Sequence, residues 1–380
     1  MRLLLTGTML ALSLFSNAQP FLIGSRSISF FDAARNRTVA TTTYYPGITA
    51  GNNADVAVGE FPVLVFGHGF VMTVDAYANI WNHFVPKGYI VVLPTTEGGF
   101  APAHGDFGAD LAFLAEALQA ANTDVASPFL GHIAPATALM GHSMGGGASV
   151  LGAAANGTIQ ALVSFAPAET NPSAVAAAAN VLVPTMIFAA SEDCVAPIAD
   201  HQGPIYNALT VPCRAFVNIQ GGGHCYFAES NFNCSFGELT CGPDLTISRE
   251  QQHAVMNDFA GLWLDHYLKG DQQALTSVLD SLASSTRVQT EFTCLSTAII
   301  EADAEQWSIV PTITSDHIRL LNVPSSAVAQ VFDATGRSVL ALRHGGAASP
   351  IDVSGLPAGP YHIVVMVGGV HTRRSFVVAR

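Results

Sequence analysis

The chain has 380 residues, 49% hydrophobic and only 11% charged, with a formal net charge of −13. That length allows two domains, and so much apolar material excludes wholesale disorder. The acidic balance excludes nucleic acid or an anionic membrane surface as the main partner, since both require a basic face.

The chain starts with Met1-Arg2, an apolar run from Leu3 to Phe15, and the small residues of Ser16-Asn17-Ala18. This reads as a signal peptide over 1–18, with Gln19 opening the mature protein. The run is short for a bilayer crossing, and no later stretch reads as a membrane span. The expectation is export and secretion. Six cysteines agree with it, all between Cys194 and Cys294. An even number in an exported chain favours disulfides, and C-x-x-C pairs of the zinc-site kind are absent. Cys194 with Cys213 is the first pairing to expect, because both flank adjacent strand ends. Cys234 with Cys241 would close a short loop, and the remaining pairing stays open.

Ser27–Phe31 and Thr38–Tyr45 alternate around a turn at Asn36-Arg37 and read as two strands. Phe61–Phe66 is a continuous apolar run, as a buried parallel strand should be. A helix is expected over Tyr77–Phe84, a strand over Tyr89–Leu93 and an amphipathic helix over Phe107–Ala121. The strand Thr137–Met140 and a small-residue helix Gly146–Ala155 follow. Further strands are expected at Ala161–Phe165, Pro184–Ala189 and Ala215–Ile219, with a short helix at Ile205–Leu209 and a long one at Arg249–Leu268. Strands alternating with helices predict an α/β domain over 19–296, with a doubly wound, mostly parallel sheet. Ligands of such sheets bind beyond the carboxyl ends of the strands.

The composition shifts near residue 297. A linker is expected over 297–308, with the acidic cluster Glu301, Asp303 and Glu305. From 309 to 380 short alternating runs separated by Gly, Asp and Pro predict a small all-β domain of sandwich type.

Between the strand at Thr137–Met140 and the helix after it stands Gly141-His-Ser-Met-Gly145. G-x-S-x-G in that context is a nucleophile elbow. The serine sits on a strained turn whose neighbours cannot carry side chains. The turn projects the Ser143 hydroxyl above the sheet and aims the Met144 amide at a developing oxyanion. A serine hydroxyl needs a histidine base, and the histidine an acid that holds its tautomer. In this sheet type the chain order is serine, acid, histidine. The strand at Pro184–Ala189 opens into Ser191-Glu-Asp-Cys194, and the strand at Ala215–Ile219 into Gln220-Gly-Gly-Gly-His224. His224 is therefore the candidate base. Asp193 is the preferred acid, with Glu192 and Asp200 as competitors. The loop after Phe61–Phe66, His68-Gly69-Phe70, offers the Phe70 amide as a second oxyanion donor. His68 and His142 read as structural.

His68-Gly-Phe70, Gly141-His-Ser-Met-Gly-Gly-Gly147, Ser191-Glu-Asp-Cys-Val-Ala-Pro197 and Gly223-His224 together resemble the cutinase and polyester-hydrolase branch of the α/β-hydrolases. The resemblance covers about Ser27 to Leu268. It implies a carboxylic-ester hydrolase with the triad Ser143, Asp193 and His224, an oxyanion hole of the Phe70 and Met144 amides, and no metal or organic cofactor. The Phe70 and Met144 side chains would line the acyl site. That branch carries a tryptophan after the proline that follows the strand beyond the elbow. Here Phe165-Ala-Pro-Ala168 has alanine instead, which points away from an aromatic polyester. The stretch from Cys225 to Cys234 is longer than that branch usually has. Its Tyr226, Phe227 and Phe232 would form a different apolar wall for the substrate, or else be packing stapled by disulfides.

Val331-Phe-Asp-Ala-Thr-Gly-Arg337, Ile351-Asp-Val-Ser-Gly-Leu-Pro-Ala-Gly-Pro-Tyr361 and the stretch Arg373–Arg380 resemble the sorting domain of the Por (type IX) secretion system. That resemblance implies the type IX machinery as partner of residues 309–380, and export to the cell surface or medium. An accessory domain binding a polymer or carbohydrate is the alternative. For the whole chain the alternatives are a lipase or chlorophyllase-like esterase on small or lipid esters, and a non-catalytic surface or binding protein on a hydrolase scaffold. The last has no reason to keep all three triad members.

Overall fold

The computed structural model describes residues 20–294, 308–321, 323, 328–334, 337–343, 350–367 and 370–380. The expected signal peptide, and all but the last residue of the expected linker, lie outside them. The chain divides into two compact units, Met1–Cys294 and Leu295–Arg380.

The first unit is built on one ten-stranded sheet. Its strands are β1 (Leu22–Asp32), β2 (Arg37–Gly47), β3 (Gly51–Asn52), β4 (Phe61–Gly67), β5 (Ile90–Pro94), β6 (Ile133–His142), β7 (Ala161–Phe165), β8 (Thr185–Ala190), β9 (Cys213–Ile219) and β10 (Val288–Cys294). They lie in the order β10-β9-β8-β7-β6-β4-β5-β2-β1-β3. The six from β9 to β5 run parallel, while β10 and β2 flank them antiparallel. Among the described residues eight α-helices accompany them: α1 (Ala78–Phe84), α2 (His104–Ala121), α3 (Met144–Ala155), α4 (Ala174–Ala178), α5 (Gln202–Ala208), α6 (Phe232–Leu239), α7 (Arg249–Lys269) and α8 (Gln272–Ser284). This mixed α/β arrangement with a largely parallel central sheet is consistent with an α/β-hydrolase.

The central strands are apolar on both faces, as strands covered on both sides must be. Along β4, Leu64 and Phe66 pack into one core with Phe259 and Trp263 of α7. Val63 and Val65 point the other way, into a second core with Leu111 and Leu114 of α2. Helix α7 has well-formed ends. Ser248 and Gln251 make a reciprocal capping box, and Gly270 closes the helix at φ 72°.

All six cysteines are bridged, but as Cys194–Cys241, Cys213–Cys294 and Cys225–Cys234. The two pairings expected above are not formed. Strands β8 and β9 are parallel, with Ala190 beside Ile219. Cys213 therefore begins β9 at the amino ends of the parallel strands, while Cys194 follows β8 at their carboxyl ends, about 20 Å away by strand rise. Cys213 instead faces Cys294 directly across the antiparallel β9–β10 ladder. Cys234 and Cys241 lie seven positions apart along α6 and its end, about 10 Å of helical rise, beyond disulfide reach.

In the second unit, β11 (Ser308–Val310), β13 (His317–Leu321) and β16 (Ile351–Asp352) make a three-stranded sheet. A five-stranded sheet combines β12 (Ile313–Thr314), β18 (Val370–Val378), β17 (Gly359–Val367), β14 (Val328–Asp333) and β15 (Ser338–Arg343). They share a core of their own that includes Ile318, Leu320, Val331, Ile363 and Phe376. The Asp352–Tyr361 motif is a compact turn. The Asp352 carboxylate accepts from the Ser354 amide at 2.8 Å, and the Tyr361 hydroxyl donates to the Pro357 carbonyl at 2.8 Å. Arg380 donates to the carbonyls of Ser354 and Leu356.

Candidate active site

Strand β6 runs straight into Ser143, which has φ 55° and ψ −121°. A non-glycine residue there is strained, and its surroundings must hold it. They do so through the backbone. The Ser143 amide donates to the Phe165 carbonyl at 3.0 Å. Its carbonyl accepts from Gly147 at 3.0 Å and from Ala168 at 2.9 Å. The glycines of the elbow are required by space. A Cβ on Gly141 would lie 2.2 Å from the Gly145 oxygen, and one on Gly145 would lie 2.2 Å from the Gly67 carbonyl. The elbow is thus pressed directly against the end of β4, where His68-Gly69-Phe70 begins.

His224 and Asp193 follow the neighbouring strands β9 and β8, and both side chains turn towards Ser143. His224 Nε2 lies 2.9 Å from Ser143 Oγ, and His224 Nδ1 lies 2.7 Å from Asp193 Oδ2. The other Asp193 oxygen accepts from the amides of Val195 at 3.0 Å and Ala196 at 2.8 Å. With one oxygen held by two amides, the second is left for the imidazole. That contact makes Nδ1 the donor and leaves Nε2 free to accept the serine proton. Asp193 and His224 are buried. Glu192, by contrast, takes the Ser191 hydroxyl at 3.0 Å, and Asp200 is exposed. Of the three candidate acids only Asp193 reaches the imidazole.

The three glycines before His224 serve close packing. Gly221 has φ 72°, and a Cβ on Gly222 would meet the Gln252 side chain at 2.4 Å. Fully buried Gln252 of α7 exchanges two hydrogen bonds with Gly223, accepting at 3.0 Å and donating at 2.9 Å. Sequence reasoning missed Gln252. Its one signal is a polar residue on the inward stripe of an amphipathic helix.

Phe70 is 48% exposed beside the site, and its ring meets the 86%-exposed Phe100 edge-on at 6.5 Å. Met144 opens α3, so its amide has no intrahelical acceptor, while its side chain is buried. His68 is structural, its Nε2 2.8 Å from the Thr96 carbonyl and its ring against Phe107. Tyr226, Phe227 and Phe232 do not stand together as the wall considered above: Tyr226 is half-buried, Phe227 buried and Phe232 exposed. Phe227 is fully buried, packed on Phe165 and His142, because its short 3-10 turn faces the core. Tyr226 is covered by the Arg249 guanidinium, 4.4 Å above its ring.

The surface in that region comes from α6. Phe232, Phe236 and Leu239 stand on one side of it, 81%, 60% and 80% exposed. The helix is tied to both loops of the site. Cys234 bonds Cys225, next to His224, and Cys241 bonds Cys194, next to Asp193.

A sequence model of the family described as PETase, PET hydrolase-like, matches residues 12–240. The chain belongs to the PET hydrolase-like family. Among relatives, Cutinase est2 of Thermobifida alba is 27% identical over 220 residues, 57% of this chain and 66% of that protein. Cutinase 1 of Thermobifida cellulosilytica is 35% identical over 88 residues, 23% of this chain and 32% of the relative. Bis(hydroxyethyl) terephthalate hydrolase of Streptomyces coelicolor is 29% identical over 103 residues, 27% and 31% of the two chains. The chain thus spans just under two thirds of the length of one of these relatives and about a third of the other two.

Proposed function

We propose that the chain is a secreted serine hydrolase of carboxylic esters, with Ser143 as nucleophile, His224 as base and Asp193 as the acid that orients it. One observation carries the reading: the hydrogen-bonded row Ser143 Oγ, His224, Asp193 lies just past the carboxyl ends of β6, β9 and β8, three parallel strands of one sheet. Ser143 attacks the ester carbonyl while His224 takes its proton. The Phe70 and Met144 amides hold the tetrahedral oxyanion, each contributing about 3 kcal/mol to the lowered barrier. His224 then protonates the leaving alcohol, and water resolves the acyl-enzyme by the same route.

The relatives named as cutinases and as a terephthalate-ester hydrolase support an ester substrate. Ala168 and the apolar outer side of α6 favour an aliphatic or lipid-like ester over an aromatic polyester. The three disulfides fit an oxidising, extracellular setting. In this reading residues 1–18 direct export, and 309–380 form a sandwich-type sorting domain for the type IX machinery.

The test is labelling by a fluorophosphonate together with hydrolysis of p-nitrophenyl butyrate. The native chain is expected to do both, and folded Ser143→Ala neither. Undiminished hydrolysis by that variant would overturn the assignment.

A further inference from the structure

Beneath the site runs a chain of buried hydrogen bonds that the ester-hydrolysis scheme does not use. The Gly69 amide lies 2.6 Å from the Tyr77 hydroxyl. That hydroxyl lies 3.0 Å from His142 Nδ1, and His142 Nε2 lies 3.1 Å from the carbonyl of His224. Tyr77 and His142 are both completely buried. The row joins the loop that carries Phe70 to the loop that carries the base, passing through the residue before Ser143.

The direction of every bond in the row is fixed by chemistry. A backbone amide only donates, so the Tyr77 oxygen accepts from Gly69. A backbone carbonyl only accepts, so His142 Nε2 must carry a proton and give it to His224. In a neutral imidazole Nδ1 is then an acceptor, and it takes the one proton of Tyr77. The Met72 sulfur, 3.1 Å from the same hydroxyl, competes weakly, because a thioether is a poor acceptor. Burial first, and then the neighbouring His224, hold His142 well below the ordinary histidine range, which keeps it neutral. Neutrality matters for a second reason. The His142 ring is 4.8 Å from the His224 ring, where a second positive charge would oppose the imidazolium formed during turnover.

We propose that Tyr77 and His142 are positioning residues, a one-directional buried strut that sets the oxyanion-side loop and the base loop at fixed distances from Ser143. The proposal rests on the ester-hydrolase reading above and adds to it two residues that touch no substrate. Space around the strut is tight. A Cβ on Gly69 would meet the Met72 sulfur at 2.7 Å, the Tyr77 oxygen at 3.0 Å and His142 Nδ1 at 3.4 Å. Removing the Tyr77 oxygen leaves a buried donor on Gly69 and a buried acceptor on His142, and both loops are free to shift.

The experiment compares Tyr77→Phe, His142→Ala and the double variant in the full chain, with p-nitrophenyl butyrate as substrate. Tyr77→Phe keeps the ring and its packing. It is expected to lower kcat by about tenfold or more, with KM within about twofold, as misplaced reacting groups should. The double variant should lose no more than the worse single variant, because either change breaks the same row. A smaller loss in Tyr77→Phe, a loss carried by KM, or losses that multiply would each overturn the strut. Should a variant fail to fold, nitrogen-15 NMR of histidine-labelled native chain decides the matter. A neutral His142 with its proton on Nε2 and an acceptor-type Nδ1 supports the proposal, and a charged ring or a proton on Nδ1 refutes it. Activity of the native chain and its loss in Ser143→Ala report on the ester-hydrolase reading separately, so the two cannot fail unnoticed together.

Discussion

Gly145→Ala is the most direct probe of how the elbow is seated. Alanine is the better helix former by about 1 kcal/mol, and Gly145 is inside α3, so the backbone alone would gain from the change. Space forbids it. The new Cβ would stand 2.2 Å from both the carbon and the oxygen of the Gly67 carbonyl, and 2.5 Å from the His68 oxygen. Carbon contacts settle near 3.5 Å, so the end of β4 must retreat by about 1.3 Å. That backbone leads within three residues to Phe70, the proposed oxyanion donor. A displacement of about 1 Å at reacting groups costs on the order of a hundredfold in rate, and overpacking adds about 1–3 kcal/mol of instability. We expect kcat/KM for p-nitrophenyl butyrate to fall by about a hundredfold, mostly in kcat, with a lower thermal midpoint. Gly157→Ala is the control, since no neighbour lies within 4 Å of its Cβ, and it should be near neutral. A stable Gly145→Ala variant with native activity would refute the claim that the elbow and the Phe70 loop share one rigid contact.

Two further outcomes follow from burial and exposure. His83, half-buried beside the Lys87 ammonium at 2.9 Å, is lowered to about 4 by desolvation first and by Lys87 second. The unfolded chain takes up this proton near 6.5 and the folded chain only near 4. Between those values unfolding is coupled to proton uptake, and stability falls as pH falls. Denaturant midpoints measured from pH 7 to 5 should decline, and less steeply in His83→Gln; equal slopes would exclude His83 as a contributor. On α6, replacing Phe232 and Phe236 by serine removes apolar surface that an insoluble ester would cover, on the order of 2 kcal/mol for each ring fully buried. Hydrolysis of an emulsified triglyceride is expected to drop about tenfold and that of a soluble butyrate ester no more than about twofold. Equal losses on both would show that α6 acts only by supporting the site.

Much of the sheet was legible because its central strands are mostly apolar runs. Phe61–Gly67 and Ala161–Phe165 stand within a residue of the expected limits. Helix α8 went unread although Asp271 caps it and Ala274, Val278 and Leu282 repeat every fourth residue on its buried side. Helix α6 was hidden for the opposite reason. Its apolar residues face outward, and the cysteines around it suggested a stapled loop. The row Ser143–His224–Asp193 could be sought because chain order and strand ends restrict where such residues fall. Tyr77, Gln252 and the disulfide partners could not, since each depends on which elements lie side by side. Cys213 and Cys294 illustrate this: 81 residues separate them, and only the register of β9 with β10 makes them neighbours.

Binding and catalytic loops are usually the least stable parts of a fold, yet here the loops that carry Phe70, Asp193 and His224, the proposed catalytic groups, converge on one short helix. Helix α6 and the turn that ends it are covalently joined to the residues after His224 and Asp193, through Cys234 and Cys241. Its Glu238 carboxylate accepts from the Cys225 amide at 2.8 Å, and its Asn233 side chain donates to the Val71 carbonyl at 2.6 Å. Val71 follows Phe70 and has φ 55°, an unfavourable conformation for a β-branched residue. A strained residue persists only where its surroundings hold it, and α6 supplies one of the bonds that does so. With Asn233, Cys234 and Glu238 committed to the loops that carry Phe70 and His224, the helix leaves its apolar side to solvent. The exposed Phe232, Phe236 and Leu239 are therefore the reverse side of the device that stiffens the site.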